Sequence, residues 1–69
     1  MRDPNRLDHF YDEMKKLHME YFCDWRFAQM MWNYFKYSFD VRKQDPFFME
    51  EDKFLSEFKE FCQWCQNNV

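Results

Sequence analysis

Apolar and polar side chains recur along this chain with the period of an amphipathic α-helix. In three stretches the apolar positions are spaced by three or four residues, with charged side chains between them. Asp3 is a suitable N-cap for the first stretch, and Pro4 suits a first helical position because its missing N–H costs nothing there. Asp24 can cap the second stretch in the same way. The pattern predicts helices over residues 4–20, 24–38 and 50–66.

The segment between the second and third predicted helices has the composition of a loop. Residues 40–46 read DVRKQDP, and the proline disfavours helical backbone at the residue before it. Phe47, Phe48 and Met49 follow as an expected apolar anchor. Three carboxylates then complement the partial positive charge at the start of a helix, at Glu50, Glu51 and Asp52. Because each apolar helix face needs another to cover it, we predict an all-α fold, a small three-helix bundle forming one domain over residues 1–69.

Composition and charge narrow the class of protein. The 69 residues include ten Phe, four Tyr and three Trp, so a few large side chains can build the core of a very small domain. The net charge of -3 repels a nucleic-acid backbone on average. No signal-like start and no apolar run near the ~18 residues of a membrane span are present. With three cysteines, an odd number, we expect a cytoplasmic protein without a membrane partner.

The second predicted helix carries more apolar side chains than two neighbouring helices can cover. A helix packed at the centre of the bundle would account for part of this surface, and we expect Trp32, Phe35 or their neighbours on its buried seam. The rest should be exposed or covered by a partner, because aromatic and Met side chains are enriched at interface centres. We therefore predict a non-enzymatic module that binds a protein partner or forms a homodimer. The apolar positions are Trp25, Phe27, Ala28, Met30, Met31, Trp32, Tyr34, Phe35 and Tyr37.

A polar stripe on the same helix admits three interpretations. Its residues are Arg26, Gln29, Asn33 and Lys36. They could read bases in a DNA major groove, although the acidic chain lacks the basic surround that such binding needs. They could instead be solvated, or form a clasp in which Arg26 pairs with Glu51 or Asp52 and the amides hold the segment before the third helix.

Catalytic and metal chemistry receive weaker support. Cys62 and Cys65 form CQWC, and Cys23 with His9 or His18 could complete a zinc site, but the helical apolar context favours small core residues. There is no recognisable nucleophile motif and no glycine for a phosphate loop. An enzyme or metal-dependent activity centred on Arg26 and the Glu50–Asp52 carboxylates remains the rival hypothesis. We expect neither a cofactor nor a bound metal.

Three separated motifs carry a family resemblance. They are MRDPNR at the start, D-W-R-F-x-Q-x-x-x-N in the middle and D-P-F-F-x-E-E-D before the third helix. Together they resemble small uncharacterised bacterial and phage-encoded proteins with D-x-R-x-G-Q-x-x-x-N and D-x-F-Y-x-E-D segments, although Ala28 stands where that family tends to have Gly. The resemblance implies a phage-derived origin and no particular activity. It also implies that eight residues form one binding surface or structural clasp, namely Asp24, Arg26, Gln29, Asn33, Asp45, Phe48, Glu51 and Asp52.

Overall fold

The computed structural model describes residues 2–68 and confirms the all-α, three-helix fold. Helix α1 spans Arg6–Tyr21, α2 spans Phe27–Asp40 and α3 spans Glu51–Asn67, with a short 3-10 turn at Pro46–Phe48. The part of the chain that is described contains no strand. Within the same residues, no helix is both long enough and apolar enough to cross a membrane.

The first two helices begin later than the N-cap pattern predicts. The Asp3 carboxylate accepts a hydrogen bond from the Asn5 N–H at 3.0 Å, so it caps a turn that precedes α1. Asp24 lies in a turn closed by the Trp25 N–H, which donates to the Phe22 carbonyl at 2.9 Å. Arg26 is extended, with φ -68° and ψ 155°, and α2 starts only after it. In both cases the capping residue therefore lies in a turn just before the helix, and the helix begins only after that turn.

Helix α3 lies at the centre of the bundle and packs against both α1 and α2. The central position considered for the second helix is thus wrong. The Tyr34 ring of α2 lies 5.0 Å from the Phe54 ring, 5.1 Å from Phe58 and 5.5 Å from Phe61, all on α3. The core consists of the buried side chains of Met14, Phe22, Met30, Tyr34, Tyr37, Leu55, Phe58, Phe61 and Cys62.

Helices α1 and α3 run parallel, with their starts and their ends side by side. Near the starts, Arg6 Nε donates to Glu51 Oε1 at 2.8 Å. Near the ends, Gln63 Nε2 donates to the Tyr21 hydroxyl at 3.3 Å. The C-terminal ends of α1 and α3 consequently meet at one end of the molecule.

The bundle is elongated and thin, measuring 40 × 26 × 19 Å. The side chains of Trp32, Phe35 and Phe39 are exposed, so α2 is covered on one side only. The accessible surface is 5421 Å², whereas a compact monomer of this mass exposes roughly 4,900 Å². The excess is consistent with a helix face that no other part of the described chain covers.

Candidate functional site

The uncovered side of α2 presents an apolar stripe to solvent. We call it the outer stripe, and its residues are Ala28, Trp32, Phe35 and Phe39, spaced by four, three and four residues. Trp32 is 66% exposed, Phe39 51% and Phe35 37%. This spacing places all four side chains on one helix face.

The buried seam of α2 lies on the opposite side from the outer stripe. Met30, Tyr34 and Tyr37 form it. The seam prediction is therefore met by Tyr34, a neighbour of Phe35, whereas Trp32 and Phe35 themselves are exposed. Eight aromatic or sulphur-containing side chains on α2 do not define a single apolar face, so only contact with α3 determines which face is buried. The sequence did predict that part of this surface stays exposed.

The clasp predicted for Arg26 is not formed. Arg26 is exposed and makes no ion pair with any residue from 2 to 68, while Arg6 of α1 occupies the Glu51 carboxylate. This pairing follows from the parallel packing of α1 and α3, which brings their first turns together. Arg2 likewise pairs with Glu50. The Arg6 guanidinium lowers the pKa of Glu51, because it donates a hydrogen bond to the charged form of the carboxylate.

The other three residues of the polar stripe have local positions or contacts instead. The Gln29 side-chain oxygen accepts a hydrogen bond from the Arg26 N–H at 2.8 Å, so Gln29 satisfies a free donor at the start of α2. Asn33 is half-buried and, with Lys36, lines a groove of about 360 Å³ between α2 and α3. The stripe is therefore partly structural and partly a groove wall.

The loop after α2 is held by residues that the sequence analysis did not select. Ser38 is buried, and its hydroxyl donates to the Gln44 carbonyl at 3.0 Å while its own carbonyl accepts from the Gln44 N–H at 2.9 Å. Arg42 Nη2 lies 3.1 Å from both carboxylate oxygens of Glu57, and this contact raises the pKa of Arg42. Glu57 is only 5% exposed, although charged side chains were expected on the solvent face between the apolar positions. The sequence signal for this burial was the position of Glu57 beside Phe58 and one helical turn before Phe61.

The 3-10 turn exposes the two phenylalanines that were expected to anchor it. Asp45 caps the turn, accepting from the Phe47 N–H at 2.9 Å. Pro46 is buried, whereas Phe47 is 82% and Phe48 81% exposed, with their rings edge to face at 4.9 Å. Pro46 is thus the anchor, because a three-residue turn can bury only one side of itself.

A cavity of about 460 Å³ opens where the ends of α1 and α3 meet the α1–α2 connection. We call it the junction cavity. His18 Nε2 donates to the Trp25 carbonyl at 2.8 Å, and the Trp25 indole stacks on Phe22 at 4.5 Å, so the connection is well fixed. The cavity is lined by Glu20, Tyr21, Phe22, Cys23, Asp24, Trp25, Cys62, Trp64, Cys65, Gln66 and Asn68.

All three cysteines are free thiols that line the junction cavity. Burial raises the pKa of Cys62 to about 12 and also raises the pKa of Cys65, so both are neutral near pH 7. Among residues 2–68, no group of three or more His, Cys, Asp or Glu side chains is arranged to hold a metal ion. The two thiols on α3 therefore form an uncharged wall.

The rival hypothesis of an enzyme requires a concave site that combines Arg26 with the Glu50–Asp52 carboxylates. Neither the junction cavity nor the groove between α2 and α3 is lined by any of these residues. The same holds for a third, open hollow along the start of α1. Asp52 is exposed at the first turn of α3, where a carboxylate complements the helix dipole. This arrangement has the geometry of a helix start and lacks that of a substrate pocket.

The eight residues grouped by the family resemblance are distributed over several places. Asp24 lines the junction cavity, Asn33 lines the groove between α2 and α3, and Glu51 is paired with Arg6. Comparison with protein-family models, with curated proteins and with solved structures found no match. The fold and its surfaces therefore carry the functional argument.

Proposed function

We propose that this protein is a non-enzymatic interaction module that binds through the outer stripe of α2, and that its partner is a second copy of the same helix. The observation that carries the proposal is the exposure of Trp32 and Phe39 on a face with helix-packing spacing. Side chains spaced by three and four residues interdigitate with those of a facing helix. Exposed aromatic surface of this kind marks association sites.

The stripe is suited to pairing with itself in the antiparallel direction. Its four positions are symmetric about the midpoint between Asn33 and Tyr34. A two-fold axis through that midpoint would place Ala28 opposite Phe39 of the second copy and Trp32 opposite Phe35. A small side chain then faces a large one at each end, which gives the interlocking shape that a closed two-fold interface requires.

The flanking charges are compatible with this pairing. Lys36 and Gln29 lie beside the stripe on the same edge of α2. In the antiparallel arrangement Lys36 of one copy approaches Gln29 of the other, so no like charges are opposed. Self-association thus meets no electrostatic barrier along this edge.

The size of the stripe limits the affinity. Its three aromatic side chains expose roughly 400 Å² per copy, about half of what each partner buries in an interface of standard size. We therefore expect a dissociation constant in the micromolar range or weaker, and an association that depends visibly on concentration.

Light scattering after size-exclusion chromatography tests the assignment of the surface. Trp32→Glu should abolish association, because it would bury a carboxylate without a partner. Phe47→Glu is the matched control, since Phe47 is even more exposed but lies outside the stripe. Equal association of both variants and the unmodified protein would overturn the proposal, as would loss of association in Phe47→Glu alone.

A further inference from the structure

The junction cavity has the size of a site for a small ligand. Its volume of about 460 Å³ lies within the range of small-molecule pockets. It shares no residue with the outer stripe, so an inference about it is independent of the proposed self-association.

The electrostatic character of this cavity is negative. The last turns of α1 and α3 both contribute to its wall, and the C-terminal end of a helix carries a partial negative charge from carbonyl groups without helical partners. The exposed carboxylates of Glu20 and Asp24 add two full charges. No lysine or arginine is among the described residues that line it.

The remaining wall is aromatic and uncharged. Trp25 and Trp64 line the cavity from opposite elements, and Trp25 has one face covered by Phe22. The Cys62 and Cys65 thiols complete the wall. An indole face attracts a cation through its quadrupole, most strongly when the cation is poorly hydrated.

We propose that the junction cavity binds an organic ammonium cation, of the quaternary or alkylated amine class, against the indoles of Trp25 and Trp64. The two helix ends and the carboxylates of Glu20 and Asp24 supply the charge complementarity. A hydrated inorganic cation would gain little from aromatic walls, and an anion would be repelled. The occupant is therefore a cation with apolar substituents.

Nuclear magnetic resonance of the three indole N–H groups tests this assignment, because the chain has three Trp. Choline is the probe, and 3,3-dimethylbutan-1-ol is its uncharged analogue of the same shape. Choline should shift the Trp25 and Trp64 signals to saturation and leave the Trp32 signal in place. The uncharged analogue should bind at least about fivefold more weakly.

Two sets of variants sharpen the result. Trp64→Leu should abolish the choline shifts at Trp25, whereas Trp32→Leu, outside the cavity, should leave them unchanged. Glu20→Gln with Asp24→Asn alters only exposed side chains, and it should weaken choline binding several-fold while the uncharged analogue binds as before. Equal binding of choline and its analogue, unsaturable shifts, or similar shifts at all three indoles would overturn the proposal.

Discussion

Tyr34 places a polar hydroxyl group inside the apolar core. Its side chain is fully buried among the rings of α3, and its hydroxyl makes no hydrogen bond of normal geometry among the described residues, although the Ser38 hydroxyl is near enough to oppose the rise in its pKa. Burial, with the nearby Glu57 charge as a second cause, raises the pKa of Tyr34 to about 12. An unsatisfied buried hydroxyl costs about 1 to 3 kcal/mol of stability.

Tyr34→Phe should therefore be neutral or should stabilise the fold by up to about 1 kcal/mol, because the ring contacts remain and the unpaired hydroxyl is removed. Thermal unfolding at pH 7 measures this. Tyr21→Phe is the control, since it removes a hydroxyl that accepts a hydrogen bond from Gln63 and should not stabilise. A clear loss of stability in Tyr34→Phe would show that this hydroxyl is satisfied.

The raised pKa of Tyr34 also predicts an alkaline loss of stability. Below pH 10 the phenol is neutral in both the folded and the unfolded chain, so its contribution is fully present. From about pH 10 to 12 the unfolded chain releases the proton first, and stability should fall by up to about 2 to 3 kcal/mol. Urea unfolding across this window should show a smaller loss of stability in Tyr34→Phe than in the unmodified protein. Some loss remains in the variant, because the buried Cys62 thiol also has a raised pKa.

At the scale of elements, the connection between α2 and α3 depends on Arg42. Arg42→Ala should lower the free energy of unfolding, because it leaves the buried Glu57 carboxylate without its partner. Arg26→Ala is the matched control and should change stability by less than about 0.5 kcal/mol, since Arg26 is exposed. Urea unfolding distinguishes the two arginines, and a greater loss for Arg26→Ala would contradict this assignment.

The helix-pairing geometry of α2 has its own test. Ala28→Phe should weaken self-association, because two large side chains would then meet at each end of the antiparallel pair. Adding Phe39→Ala should restore it by returning a small residue opposite a large one. Sedimentation velocity of both variants measures the effect. Stronger association of Ala28→Phe alone would indicate a parallel pairing or a different surface.

For the whole molecule, the sequence predicted the fold more accurately than it predicted the side-chain contacts. Periodicity located three helices to within three residues of their ends, because apolar spacing is a local property of each helix. The position of Arg42 opposite Glu57, and of Arg6 opposite Glu51, depends on how α3 packs between its neighbours. The junction cavity could not be predicted from the sequence either, because it forms only where two parallel helices end side by side.

This bundle leaves one face of α2 uncovered, and we propose that a second copy covers it. Sedimentation equilibrium of the unmodified protein, from about 5 µM to about 1 mM, tests it most directly. The average mass should rise from the 9.0 kDa of the monomer toward twice that value. A mass that stays at 9.0 kDa over the whole range would contradict it.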